Sequence, residues 1–260
     1  MRIARFSVDG TGGTGRSTVG FAAVEGDELA VIDTHPFGTI SFTGVRVPVA
    51  AARLLPPVLP SKVVAIGKNY ADHAREMGGE PPTEPVMFLK PSTAVIGPDA
   101  AIARPVGVGR VDFEGELAVV IGRLARDVPR EKALDMVLGY TCANDVTARD
   151  QQLADGQWTR GKGYDTFCPL GPWLETDLDP ADLELTTTVN GEVRQSARTS
   201  QMCHDVPSLI EHVSRVMTLL PGDVLLTGTP AGIGPIVAGD EVAVTLEGIG
   251  TLTNSVTNRG

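Results

Sequence analysis

Two carboxylates two residues apart, Glu114 and Glu116, stand at the head of the apolar run L-A-V-V-I at 117–121. In an extended chain residues i and i+2 point to the same face, roughly 7 Å apart. Two acids on one face at the mouth of a buried strand repel each other, lose hydration and call for a cation. A solvated strand end, with Asp112, Glu114 and Glu116 all facing water, is the alternative. A third acid, Asp145, follows the run Y-T-C-A at 140–143 and could supply a third oxygen; its other possible role is to cap a helix over 146–152. Three carboxylates with no nearby Cys or His ligand would select a hard cation, Mg²⁺ or Mn²⁺ rather than Zn²⁺.

His73 and Glu76 are three residues apart on a short helix expected over 71–77, capped by Asn69 or Asp72, and so share one face. A carboxylate there can hold an imidazole and raise its basicity, as a general base near neutral pH requires. An exposed helical ion pair is the alternative. Gly78-Gly79 and the prolines that follow bracket the segment as they would a lid. Lys162 lies between two glycines in a basic loop at 157–165, on backbone able to approach a ligand closely. Arg149 and Gln152 project from the turn after Asp145. The small residues at 227–234, T-G-T-P-A-G-I-G, form a loop with free N–H groups suited to carboxylates.

The elements that must position these groups are mostly strands. Runs at 2–8, 19–24, 62–66, 86–89, 117–121, 140–143, 224–226, 241–246 and 250–256 have the composition or alternation of strands. Asn190-Gly191 between 183–189 and 192–197 predicts a hairpin through a type I′ turn. Helices are expected over 130–138 and over 206–220, the second capped by Asp205 with Pro207 in its first turn. The segment G-T-G-G-T-G-R-S-T at 10–18 nearly matches a phosphate-binding loop, but it lacks the lysine and runs into a strand instead of a helix; a hairpin loop is the better reading. Prolines 56, 57 and 60 mark a linker between a small N-terminal β domain, 1–58, and a larger domain, 59–260.

Composition narrows the partners. The 260 residues carry a formal net charge of −10, which argues against nucleic acid and anionic membranes. Three cysteines without a CxxC pair exclude a disulfide framework and fit a reducing cytoplasm. No apolar run reaches membrane-spanning length, and the N-terminus lacks a signal-peptide core. Thirty glycines and nineteen prolines suit a turn-rich, β-rich chain.

Six blocks, G-K-N-Y-A-D-H-A-R-E-M, F-L-K-P-S, D-F-E-G-E-L-A-V-V-I-G, G-Y-T-C-A-N-D-V-T-A-R-D, K-G-Y-D-T-F-C-P-L-G-P-W and P-G-D-V-L-L-T-G-T-P-A-G-I-G, resemble in this order the fumarylacetoacetate hydrolase family. The N-terminal module is similar to the small β domain of the bacterial branch that includes homoprotocatechuate-pathway isomerase/decarboxylases. The resemblance implies a β-rich α+β fold with a mixed β-roll, a homodimer, and one Mg²⁺ or Mn²⁺ per subunit. It implies Glu114, Glu116 and Asp145 as metal ligands, and His73 with Glu76 as a water-activating dyad on a lid. Lys162 would stabilise a developing oxyanion or enolate, and Gln152, Thr229 and Arg149 would serve the substrate site. A small anionic 2-oxo acid would then chelate the metal through its carboxylate and 2-oxo oxygen. The expected reaction is hydrolysis of a C–C bond in a 2,4-diketo acid. Isomerisation or decarboxylation of a 2-hydroxydienedioate, or decarboxylation of oxaloacetate, is the alternative.

Overall fold

A computed structural model describes residues 1–9 and 17–259. The chain begins with β1 (Arg2–Val8), β2 (Thr18–Glu25), β3 (Glu28–Ile32), β4 (Phe42–Pro48) and β5 (Arg53–Leu55). Then come β6 (Val63–Gly67), α1 (Ala71–Glu76), β7 (Val86–Lys90), β8 (Val95–Ile96), β9 (Ile102–Arg104), β10 (Val111–Phe113) and β11 (Gly115–Ile121). The middle of the chain holds β12 (Val137–Asn144), β13 (Thr147–Ala148), α2 (Arg149–Asp155), α3 (Thr159–Lys162) and β14 (Cys168–Glu175). It closes with β15 (Glu184–Val189), β16 (Glu192–Arg198), α4 (Val206–Val216), β17 (Val224–Leu226), β18 (Gly234–Pro235), β19 (Glu241–Leu246) and β20 (Gly250–Asn258).

Most strands join one mixed sheet in the order β4-β3-β2-β1-β14-β12-β11-β17-β6-β7. Its centre, β11, is buried along its whole length, which is why 117–121 is apolar without alternation. Leu117, Val119 and Ile121 pack with Leu185, Leu246 and Leu252 of the five-stranded sheet β16-β15-β19-β20-β9 and with Leu209, Ile210 and Val213 of α4. Ala118 and Val120 pack on the other face with Val63, Ala65, Leu170 and Leu226. The result is a β-rich α+β fold of the mixed β-roll type, with a small antiparallel N-terminal domain of β1 to β4. That domain extends the main sheet through β1, which pairs with β14 at Arg2↔Glu175 and Ile3↔Leu174.

The hairpin at Asn190-Gly191 is present, and both residues have positive φ, 53° and 79°, as a type I′ turn requires. Asp205 caps α4, accepting from Ser208 N at 3.0 Å. Four expectations fail. Residues 130–136 form two 3₁₀ turns, because Val137 and Leu138 are drawn into β12 beside β11. The helix α4 stops at Val216, and Leu219 turns back to bridge Ala125. The basic segment carrying Lys162 is not all loop: Thr159–Lys162 is a helical turn packed on α2, and a Cβ at Gly161 would stand 2.9 Å from Gln152 N. Neither Asn69 nor Asp72 caps α1; Tyr70 occupies that position, and Asn69 is buried elsewhere. Strand β2 is present, as expected, while the glycine-rich stretch at 10–16, read above as a hairpin loop, lies outside the described residues. No helix among the described residues is long and apolar enough to cross a membrane.

The start of β17 is fastened to β6 by Asp223, whose buried carboxylate accepts from Ser61 Oγ at 2.6 Å, Leu220 N at 2.8 Å and the Lys62 ammonium. Burial alone would raise its pKa, but these donors outweigh burial and hold it below the usual carboxylate value. The unfolded chain therefore takes up this proton more readily, so the contribution is complete above about pH 4 and is lost as pH falls through the lowered folded value. Asp223→Ala should cost about 2 kcal/mol in urea unfolding at pH 7, by leaving buried donors unpaired, and the penalty should shrink on acidification.

Candidate active site

The centre of the large sheet gathers four chain ends at one edge. β11 runs antiparallel to β12 and β17, and β17 runs parallel to β6. The start of β11 therefore lies beside the ends of the other three. Glu114 and Glu116 stand at that start, Asn144 and Asp145 at the end of β12, Thr227 to Thr229 after β17, and Lys68 and Asn69 after β6. Backbone bonds lock the junction: Glu114 N donates to Asn144 Oδ1 at 2.9 Å, and Asp145 N to Glu114 O at 2.8 Å. The Asn69 amide donates to Thr227 O at 2.8 Å and His204 O at 2.9 Å.

Glu114, Glu116 and Asp145 are buried and present carboxylate oxygens within 4.8 Å of one another. The solvated-strand-end reading of these acids is therefore wrong, and Asp112 is buried with them. Asp145 caps no helix; Ala148 holds the first position before α2. Cations surround the cluster. Lys162 Nζ donates to Glu114 Oε2 and Asp145 Oδ2, both at 2.6 Å. Lys90 Nζ donates to Asp145 Oδ1 at 2.6 Å and to Lys162 O at 2.5 Å. Arg149 donates to Asp112 Oδ2 at 2.8 Å, to Gln152 Oε1 at 2.5 Å and to Glu114.

Glu116 is the exception among the four acids. Among the described residues its only donor is Gly228 N, at 2.6 Å, and no cation pairs with it. Burial first, and then the charges of Asp145 and Glu114, push its pKa well above the usual value. Glu114 is shifted the other way: burial would raise it, but Lys162 and Arg149 hold it far below. The oxygen-only donor set, with Glu116 left without a cation partner, fits a hard divalent ion.

His73 and Glu76 share a face of α1 as expected, with Nδ1 and Oε2 3.0 Å apart. They are not an exposed pair, since His73 is buried. Glu76 Oε1 accepts from Gly232 N at 3.0 Å and so ties α1 to the loop after β17. The helix ends in a Schellman motif: Gly78, at φ 77°, donates to Arg75 O, and Gly79 to Ala74 O. Thr229 Oγ donates to Gly115 O at 2.9 Å and accepts from Gln195 Nε2 at 2.7 Å. His73, Glu114, Glu116, Asp145, Arg149, Gln152, Lys162 and Thr229 line one cavity of ≈ 200 Å³, while Glu76 reaches it through His73.

Sequence reading passed over Lys90 and Gln195 and offered Asp112 only as a solvated acid. Lys90 sits in the quoted block F-L-K-P-S, and a lysine ending an apolar strand was its signal. Asp112 continues the alternation of Glu114 and Glu116 backwards by one step. Gln195, buried in β16, bonds Gly115 N, Thr229 Oγ and Pro230 O, and nothing in its local sequence marks it.

Residues 1–57 match the family described as Rv2993c-like, N-terminal. Protein Rv2993c of Mycobacterium tuberculosis is 58% identical over 271 aligned residues, covering 100% of this chain and 99% of that protein. The crystal structure of 5-carboxymethyl-2-hydroxymuconate delta-isomerase from Mycobacterium smegmatis is 55% identical, with a TM-score of 0.91 and full coverage of both chains. Maleylpyruvate hydrolase from Sphingobium sp. SYK-6, solved with manganese(II) ion and pyruvate, is 33% identical, with a TM-score of 0.81 and 100% coverage of both chains. Residues 62–257 match the family described as Fumarylacetoacetate (FAA) hydrolase C-terminal, and with these relatives the chain belongs to the fumarylacetoacetate hydrolase family of enzymes.

Proposed function

We propose that the chain is a Mg²⁺- or Mn²⁺-dependent hydrolase that cleaves a C–C bond of a 2,4-diketo acid, an acylpyruvate or fumarylpyruvate. One observation carries this reading: a His–Glu dyad and a cluster of three carboxylates belong to the same small cavity. Glu114, Glu116 and Asp145 would hold the ion, which supplies Lewis acidity and an anchor for the 2-oxo acid end. Manganese together with pyruvate in the maleylpyruvate hydrolase supports this assignment.

The protein groups then divide the work. His73 donates Nδ1–H to Glu76, which leaves the Nε2 lone pair to take a proton from water. The hydroxide adds to the C4 carbonyl, and the C3–C4 bond breaks. Its electron pair moves onto C3 and spreads to the 2-oxo oxygen. Protonation at C3 then releases pyruvate, and the acyl part leaves as a carboxylic acid. Lys162 holds positive charge where negative charge develops. Arg149 has its donors committed to Asp112, Glu114 and Gln152, so it orders the cluster and presents Gln152 to the cavity. Thr229 fixes the loop wall through Gly115 and Gln195.

A second reading, isomerase or decarboxylase, is favoured by the 55% identity to the delta-isomerase. There His73 would carry a proton between substrate carbons, and no water would be activated. Purified protein with Mg²⁺ or Mn²⁺ should release pyruvate from acetylpyruvate or fumarylpyruvate, detected with lactate dehydrogenase. Turnover of the dienedioate without any pyruvate from either diketo acid would replace the first reading with the second.

Two substitutions test the roles. His73→Ala should lower kcat by about 10²–10⁴-fold while leaving oxalate binding intact, measured by steady-state kinetics and calorimetry. Glu116→Ala should abolish Mn²⁺ binding in calorimetry yet keep the wild-type circular dichroism spectrum. Unfolding of that variant would instead assign the ion a structural role.

A further inference from the structure

A second cavity lies away from the carboxylate cluster, at the seam between the N-terminal domain and the larger one. It measures ≈ 310 Å³, with Arg5, Phe21, His35 and Phe37 on one side and Pro221 and Gly222 on the other. That size is at the lower end of small-molecule sites, which start at roughly 300 Å³. No acid lines it.

Strand pairing builds its charged wall. Arg5 and Phe21 stand opposite each other across β1 and β2, so their side chains share one face of the sheet. The His35 ring meets Phe21 edge-on at 4.9 Å and stacks on Phe37 at 4.7 Å, with 20° between the planes. Phe37 reaches across the seam: a Cβ at Gly222 would stand 3.3 Å from its ring.

Arg5 is half-buried, and among the described residues it forms no hydrogen bond or ion pair. Burial lowers its pKa, and no carboxylate offsets that shift. Arg2, on the same strand, has Glu175 as a partner. A guanidinium fork matches a carboxylate with two parallel N–H bonds, and one positive charge balances a monoanion. The rings beside it offer apolar faces and edges to a flat ligand. We infer that the seam is a second ligand site, for a single-ring aromatic carboxylate whose ring lies against Phe21 and Phe37 and whose carboxylate pairs with Arg5. The site is independent of the 2-oxo acid chemistry above, and its occupant touches both domains.

Calorimetry on the full-length protein, with Mn²⁺ and excess oxalate present to occupy the carboxylate cluster, tests the seam with three probes. Benzoate carries both features, cyclohexanecarboxylate keeps the charge without the flat ring, and benzyl alcohol keeps the ring without the charge. Wild type should bind benzoate at least about tenfold more tightly than either of the others. Arg5→Met should remove the advantage over benzyl alcohol, Arg5→Lys should restore part of it, and Phe37→Leu should reduce the advantage over cyclohexanecarboxylate. Saturating benzoate should also raise the Tm of wild type but not of Arg5→Met. Absence of saturable benzoate binding by wild type, equal binding of the three probes, or benzoate binding unchanged in both Arg5→Met and Phe37→Leu would overturn the seam site.

Discussion

The site depends on a balance of buried charge. Four acids, Asp112, Glu114, Glu116 and Asp145, are held out of water, where isolated carboxylates are strongly disfavoured. Three of them are paired with the buried Lys90, Arg149 and Lys162, and Asp112 also with the exposed Arg110. Each of these buried cations serves more than one oxygen. Glu116 is left without a cation partner among the described residues, and burial with its acidic neighbours disfavours its charged form.

The sheet explains why these groups meet. Alternation along β11 leaves no exposed face, so its polar residues can lie only before the apolar run begins. At that edge the neighbouring strands β12, β17 and β6 all end, and each passes directly into a segment that serves the cavity. The helical turns α2 and α3 then close over it. The near contact at Gly161 shows that Arg149, Gln152 and Lys162 are carried by two turns packed directly on each other. Glu76 performs a similar service for His73, because its second oxygen is engaged by Gly232 N.

Much of this was legible from residue order. The acid spacing at 114 and 116, the imidazole–carboxylate spacing at 73 and 76, and the Asn190-Gly191 turn are local signals, and local geometry decides them. The failures have a common cause. Helical composition at 130–138 yielded to the demand of β11 for a partner strand, a long-range requirement that no window of sequence displays. Asn69 has the composition of a helix cap, yet it spends its amide on Thr227 and His204, more than 130 positions away. Lys90 and Gln195 were missed for the same reason: their partners lie far along the chain and only the fold identifies them. Asp112 was visible as part of an alternating pattern, but the pattern alone does not say whether that face is wet or dry.

The bond between Gly228 N and the Glu116 carboxylate joins residues separated by 112 positions. Its consequence reaches into biosynthesis. While the polypeptide is still being made, Glu116 emerges 112 positions ahead of the amide that receives it. A fragment that ends before Gly228 lacks the donor that receives the Glu116 carboxylate. The edge where the three carboxylates meet is therefore complete only after Gly228 has been made.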